Sequence, residues 1–350
     1  MLQKEYATYT EITSQPEAWR QALSLTQSVS LPDAADYEQV IFTGCGSTYY
    51  LSLAAAALYQ ELTGCAARAV PGGELLLNPR ASVGRIGNPS EKRDNIPLRS
   101  LLVAISRSGT TTETVKAVEK FKAENRGHVV VISNYAEALA QLADIKIVID
   151  KGREESVAQT RSFASMYVAA TTFAARMAGR DGLLDNMLSL PNVGERLMRD
   201  FEPAARQMGE NLDFDRFYFL GSGIRYGLAC EVNLKMKEMT LTHSEPFHFL
   251  EFRHGPMSMV NEKAVVVGLV SESNFSHEDV VLNEMQALGG KTVALGEENV
   301  DIAFKSGIPE SVRGVLYLPV LQLMAFYRSL AKGLNPDRPN NLTAVVQLNF

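Results

Sequence analysis

Cysteine is scarce in this chain. Cys45, Cys65 and Cys230 are three in 350 residues, odd in number, scattered and without a CxxC spacing. That excludes a disulfide framework and a zinc knuckle, and it fits reduced thiols used as small apolar residues. Positive charge is also short, with 34 Lys and Arg against 40 Asp and Glu, a net charge of −6. Nucleic acid is thereby excluded as a bulk partner, because a phosphate backbone demands a basic face. Any anionic small ligand must be held by local donors instead. The N-terminal residues Met1 to Tyr6 form no apolar signal-peptide core, and no apolar run is expected to approach the roughly 18–20 residues of a membrane span. A cytoplasmic protein is expected, with no membrane partner. Gly44-Cys45-Gly46 and Gly221-Ser222-Gly223 each lack the third glycine of a dinucleotide fingerprint, so no nicotinamide cofactor is expected. His243, Glu245, His248, Glu251 and His254 fit no common zinc spacing, and neither a metal nor any other cofactor is expected.

What is present is a globular composition, 46% hydrophobic and 21% charged, in a chain long enough for two cores. Its most informative stretch runs from Ser106 to Thr114, Ser-Arg-Ser-Gly-Thr-Thr-Thr-Glu-Thr, directly after the apolar run Leu101 to Ile105. An apolar run ending in a cluster of hydroxyls and a glycine predicts a buried parallel strand turning into a helix. Thr110 and Glu113 have the spacing of a capping box at that helix start. One cap needs one hydroxyl, and this turn supplies far more. Free backbone N–H groups, the positive end of the helix dipole and the hydroxyls together predict a phosphate cradle.

Two halves repeat weakly. Val40 to Gly46 corresponds to Phe217 to Gly223, Leu101 to Ser106 to Val265 to Ser271, Val129 to Ser133 to Thr292 to Gly296, and Ile147 to Ile149 to Val315 to Leu318. Strands alternating with helix-length segments predict βαβ units and a parallel sheet in each half. The expected join lies near Leu190-Pro191-Asn192, ahead of an amphipathic helix over 193–211. Ser271-Glu272-Ser273-Asn274 places an acid where the first half has Arg107 and lacks the glycine, so only the first half is expected to hold phosphate. Residues 84–95 read as a polar loop, either a solvated insertion or a lid or dimer contact.

Five ordered segments resemble the sugar isomerase (SIS) family, and in particular the isomerase half of glucosamine-6-phosphate synthase. They are Val40 to Tyr49, Ser106 to Thr114, Glu154 to Phe163, Glu231 to Glu238 with Glu251 to Pro256, and the tail Asn335 to Leu342. The resemblance covers the chain from about residue 8 to its end. It implies an α/β fold of two tandem doubly wound parallel-sheet subdomains, flavodoxin-like with three αβα layers. The expected boundaries are a helical segment at 1–26, a phosphosugar-binding subdomain at 27–192, a catalytic subdomain at 193–334 and a tail at 335–350.

The resemblance also implies roles. Ser106, Ser108 and Thr111 match phosphate ligands, while Cys45, Gly46, Ser47 and Thr48 match the sugar-contacting turn. Arg107 stands where the synthase has glutamine, and either adds a phosphate contact or points to solvent. Val157 and Ala158 match the loop that closes over the sugar, through backbone groups. Glu231, Lys235 and Glu238 sit at i, i+4 and i+7 and so share a helix face. That spacing fits a surface salt-bridge ladder as well as a site. The resemblance makes Glu238 the proton-transferring base, with Glu231 and Lys235 orienting the sugar and tuning that carboxylate. His254 matches the ring-opening histidine, supplied in the family by the other subunit, which implies a homodimer.

Two departures narrow the activity. The glutaminase domain of the synthase has no counterpart in the chain, and Ala344 stands where the synthase has a tail lysine. Both favour the catabolic direction. The expected function is an amino-sugar-6-phosphate isomerising deaminase. A plain aldose–ketose phosphosugar isomerase and a fructosamine-6-phosphate deglycase are the alternatives within the enzyme class. A non-catalytic phosphosugar sensor is the alternative outside it.

Overall fold

The computed structural model describes residues 5–79, 100–346 and 348. The loop expected at 84–95 lies outside these. Helix α1 (Ala7–Ser28) opens the chain. A first set of strands follows: β1 (Gln39–Gly44), β2 (Ala67–Pro71), β3 (Ser100–Ser106), β4 (Gly127–Ser133) and β5 (Ile145–Val148). Between them lie α2 (Ser47–Thr63), α3 (Gly72–Leu77), α4 (Thr112–Ala123) and α5 (Ala138–Gln141). Three helices come next, α6 (Arg161–Met177), α7 (Asp181–Met187) and α8 (Leu190–Glu210). The second set is β6 (Arg216–Gly221), β7 (His243–Phe247), β8 (Ala264–Leu269), β9 (Lys291–Gly296) and β10 (Ile302–Ala303). Its helices are α9 (Ile224–Thr240), α10 (Phe249–Phe252), α11 (Phe275–Ala287) and α12 (Leu318–Ala331).

The chain divides into two compact units. One comprises Gln21–Arg153, Ser165–Leu184 and Val345–Phe350; the other comprises Met1–Arg20, Glu154–Ala164 and Asp185–Ala344. The first contains a five-stranded parallel sheet in the order β2-β1-β3-β4-β5. Every residue of β1 and β3 is buried, as a strand covered on both faces requires. Ile41, Leu102, Val129 and Val131 pack with Val118 and Phe121 of α4 on one face. Phe42 points the other way, onto the rings of Tyr59 and Phe173 at 5.9 and 6.5 Å. Each such side chain contributes about 1.5–3 kcal/mol by leaving water.

The other unit holds a parallel sheet in the order β7-β6-β8-β9-β10, the same topology repeated. Tyr218 and Leu220 pack with Phe249, Phe252, Leu282 and Met285 on one face. Phe217, one residue along β6, faces oppositely, under the Arg328 guanidinium of α12 at 4.9 Å. The expected α/β fold of two doubly wound sheets is what the structure has.

Two expectations are corrected. Val315 to Leu318 is no strand: Gly314–Tyr317 is a 3-10 turn that leads into α12, and the fifth strand is the two-residue β10. A short apolar run reads alike as a buried strand or a buried helix. A membrane-length apolar stretch also exists among the described residues. Gly314–Ala331 has a mean hydropathy of 1.2 over 18 residues, and 89% of it is buried inside the fold.

Candidate functional site

In a sheet of order 2-1-3-4-5, successive crossovers leave β1 and β3 in opposite directions and open a crevice at their carboxyl ends. The glycine turn of β1 and the hydroxyl loop of β3 both stand there, with Thr43 registered against Ala104 just before them. Gly44 is required by close approach, since a Cβ would lie 2.5 Å from the Thr48 hydroxyl. That hydroxyl accepts the Cys45 N–H and donates to the Cys45 carbonyl, both at 2.9 Å, so Thr48 holds the turn in shape. Gly46 takes φ +57° at the N-cap of α2, and Ser47 follows, buried. Cys45 Sγ lies 3.4 Å from Thr114 Oγ1 in the first turn of α4, tying the two turns together. Burial pushes the Cys45 thiol pKa up, which keeps it protonated.

The β3 loop is wound tightly. Ser106 Oγ accepts the Gly109 N–H at 3.1 Å, and Ser108 Oγ accepts the Thr110 N–H at 3.2 Å and the Thr110 hydroxyl at 3.1 Å. Gly109 has φ +69°, a conformation that costs a side-chain-bearing residue, and its carbonyl accepts the Leu139 N–H at 2.9 Å. The capping box expected from Thr110 and Glu113 is not formed. The Thr110 hydroxyl is committed to Ser108, the helix begins at Thr112 with Thr111 as N-cap, and no side chain caps it. Val115 makes the first intrahelical bond to the Thr111 carbonyl, so the N–H groups of Thr112, Glu113 and Thr114 lead the helix axis without an intrahelical acceptor. This arrangement suits a phosphate. Arg107 is buried, which removes the solvent-pointing alternative.

The carboxylate cluster stands on α9. Glu231 and Lys235 are fully buried, and the Glu238 side chain is 13% exposed, so the shared face is no surface ladder. Lys235 Nζ lies 3.2 Å from Glu231 Oε1 and donates to Glu238. Burial alone would drive the lysine towards neutrality, but the charges of Glu231 and Glu238 outweigh it and raise the Lys235 pKa above its ordinary value. The group is a fixed ammonium between two carboxylates.

His254 is exposed, in the turn after α10, and its N–H donates to the Glu251 carbonyl at 3.0 Å. Phe252 of α10 packs its ring on Tyr218 at 5.1 Å, and Arg253 pairs with Glu284 of α11 at 2.8 Å. The Glu238 helix packs instead against α12, whose Arg328 covers Phe217. Tyr218 and Phe217 alternate on β6. His254 and Glu238 of one chain are therefore carried on opposite faces of the second sheet.

The 154–162 loop is wrapped around two carboxylates that sequence reasoning left without roles. Glu154 accepts the N–H groups of Thr160 and Ser162 at 2.8 and 3.0 Å, and Glu11 of α1 accepts those of Glu155 and Ser156 at 2.6 and 3.2 Å. Burial, then the charge of Glu154, raises the Glu11 pKa. Val157 N–H donates to the Asp337 carbonyl at 2.9 Å, and the carbonyl of buried Ala158 accepts the Ser156 hydroxyl at 3.0 Å. The Asp337 carboxylate accepts the Ala7 and Thr8 N–H groups at 3.0 and 2.8 Å, capping α1 from the far end of the chain. A cavity of about 370 Å³ at this junction is lined by Glu5, Glu11, Glu155, Asp337 and Arg161. Four carboxylates to one guanidinium do not suit a sugar phosphate. Glu154 and Asp337 stood inside stretches already singled out; a lone glutamate such as Glu11 on a helix carries no signal.

The model of the SIS domain matches residues 90–176 and 213–306. A glutamine–fructose-6-phosphate aminotransferase (isomerizing) of Pyrococcus horikoshii is 28% identical over 362 residues, covering 98% of this chain and 58% of that protein. The corresponding protein of Sulfolobus acidocaldarius is 34% identical over 258 residues, 70% of this chain and 42% of the other. The chain thus matches about half the length of these relatives, 58% of the first and 42% of the second. A glucosamine-6-phosphate deaminase of Thermotoga maritima superposes with a TM-score of 0.78 at 25% identity, covering 98% of this chain and all of that one. The C-terminal domain of a glucosamine-fructose-6-phosphate aminotransferase of Francisella tularensis has the same fold, with a TM-score of 0.80 at 23% identity, covering 95% of this chain and 98% of that one.

Proposed function

Because the chain belongs to the SIS domain family, we propose that it is a phosphosugar isomerase acting on an amino-sugar 6-phosphate, with release of ammonia. The observation that carries this reading is the buried triad of Glu231, Lys235 and Glu238 on α9. An ammonium fixed between two carboxylates costs several kcal/mol of desolvation and is seldom kept for stability alone. Ser106, Ser108, Thr111 and the α4 N-terminus hold the phosphate, and Cys45, Ser47 and Thr48 form the sugar-facing turn. His254 moves the ring-opening proton and frees the C1 aldehyde. Glu238 takes the C2 proton, the electron pair forms the C1–C2 double bond as the C1 carbonyl oxygen takes up the ring-opening proton held by His254, and an enol-amine forms. The proton returns from Glu238 to C1 while the amine nitrogen gives one up to His254, leaving C1 an alcohol and C2 an imine. Water adds to that imine and ammonia departs, giving the ketose phosphate. The carbonyl and imine are the electron sinks, so these steps require no further cofactor.

The direction of the Lys235 shift supports this path over one through a lysine imine. An imine-forming lysine needs its pKa lowered, whereas that of Lys235 is raised. Ala344 offers no amine.

Glu238 and His254 on opposite sheet faces further support a homodimer in which each chain lends His254 to the site containing its partner's Glu238. The three cysteines are free, in keeping with a cytoplasmic enzyme. The test is incubation with glucosamine 6-phosphate, reading ammonia and ketose 6-phosphate together. Both should form in equal amounts. Ketose without ammonia from other sugar phosphates, and none from glucosamine 6-phosphate, overturns the deaminase. The phosphate assignment is read separately by thermal shift: glucosamine 6-phosphate at 100 times its Kd should add about 2.7 kcal/mol. Equal stabilisation by unphosphorylated glucosamine would sink it.

A further inference from the structure

The second half keeps the form of the phosphate loop but fills it from within. Ser271 Oγ accepts the Asn274 N–H at 3.0 Å, reproducing the Ser106–Gly109 bond of 3.1 Å at the same place after the third strand of each sheet. Seven residues beyond each serine stands a glutamate at the start of the next helix, Glu113 and Glu278. Arg225 lies two residues after the N-cap glycine of α9, as Thr48 does in α2, and both glycines have φ +57°. By this spacing Ser271 and Ser273 correspond to Ser106 and Ser108, and Arg225 to Thr48.

Ser271 donates its N–H and its hydroxyl to Glu278 at 2.6 and 3.0 Å, while Ser273 and Arg225 converge on a second carboxylate, Glu310. Glu310 Oε2 accepts the N–H groups of Glu272 and Ser273 at 3.2 and 3.1 Å, and Oε1 accepts the Ser273 hydroxyl at 3.3 Å. Oε1 also pairs with Arg225 Nη1 at 2.5 Å. The Arg225 side chain is 8% exposed, and its next carboxylate, Glu278, is 3.9 Å away. Two backbone N–H groups, a hydroxyl and a buried guanidinium on two oxygens are the donor set that a small oxyanion takes. We propose that the second half is an anion site that carries its own ligand: the Glu310 carboxylate occupies the place that a phosphate would take and latches the 310–313 turn to the end of the second sheet. Removing it turns the second loop into a site for a small oxyanion such as inorganic phosphate. This does not depend on the reaction proposed above.

The test uses the full chain and inorganic phosphate. Calorimetric titration should give one more phosphate site per chain in Glu310→Ser than in the wild type, whatever the wild-type number. Phosphate should also recover the melting temperature that Glu310→Ser loses, where sodium chloride of equal ionic strength does not. Glu310→Gln, whose amide still fills the loop, should lose stability without gaining the site. A folded Glu310→Ser with an unchanged site count overturns the proposal. Should Glu310→Ser fold poorly, the readout is its refolding yield, and equal yields in phosphate and chloride overturn it too.

Discussion

A carboxylate that lifts a proton from carbon must be fixed in place and yet able to accept charge. Glu238 meets the first condition through Lys235, and its 13% exposure leaves it reachable, whereas Glu231 is sealed. Exchange of Glu238 for glutamine keeps the shape and a hydrogen-bond acceptor for Lys235 but removes the proposed base. Glu238→Gln should bind glucosamine 6-phosphate with little change and lose about 10²–10⁴-fold in deuterium wash-in at C2, read by NMR. Exchange at the wild-type rate would show that Glu238 is not the base. Lys235 is a poor target for the same experiment. Its removal strands Glu231 as an uncompensated buried charge, a loss of about 3–5 kcal/mol that confounds catalysis with unfolding. At this scale the residue types were legible in the sequence and their environment was not. Spacing at i, i+4 and i+7 fits an exposed ladder and a buried triad equally, because burial is decided by α12 and β7, which pack on α9 from elsewhere in the chain. Thr48 likewise showed its hydroxyl in the sequence but not that the Cys45 backbone consumes it.

Sequence reasoning found the central strands, together with β9 and the edge strand β5. β1, β3, β4, β6 and β8 are covered on both faces, and their apolar runs declare them. β2 and β7 escaped because neither carries a continuous apolar run, and both are edge strands. Ala67–Pro71 is largely half-exposed, and His243–Phe247 carries a histidine, a glutamate and a proline, which an edge tolerates and a central strand does not. α1 shows the same limit in another form. No capping residue precedes Ala7 locally; its cap is Asp337, 330 residues away. Asp337→Ala should therefore lower stability by about 1 kcal/mol, and Asp337→Asn by less, measured by urea denaturation with unchanged m. An alanine variant as stable as the wild type would show that the carboxylate does not cap the helix. Because the Val157 N–H bonds the carbonyl of the same residue, loss of the cap should also raise KM for the sugar phosphate more than it lowers kcat.

For the whole molecule, the two halves share one plan and differ in what fills it. Both sheets have one strand order, and both halves keep a serine turn after the third strand. Among the described residues, the β3 loop has no internal carboxylate of the Glu310 kind in its described hydrogen bonds, and only α9 carries a charged triad of the Glu231–Lys235–Glu238 kind. The second sheet also sets the assembly that is proposed. Its two faces separate Glu238 from His254 within one chain, so a pair of chains is the simplest arrangement that brings the two groups to one sugar. Two inactive variants should then complement each other. Glu238→Gln and His254→Asn, mixed in equal amounts through unfolding and refolding, give half of the dimers mixed. In each mixed dimer one site carries both lesions and the other carries neither. About a quarter of the wild-type activity should return, while each variant refolded alone stays inactive. If mass spectrometry finds mixed dimers and no activity reappears, His254 serves the site of its own chain; a His254→Asn variant that is active by itself would show that His254 takes no part in the reaction. Recovery that fails because no mixed dimers form would leave only monomers or pure dimers in the same spectrum, so the assembly and the sharing of His254 are tested by one sample.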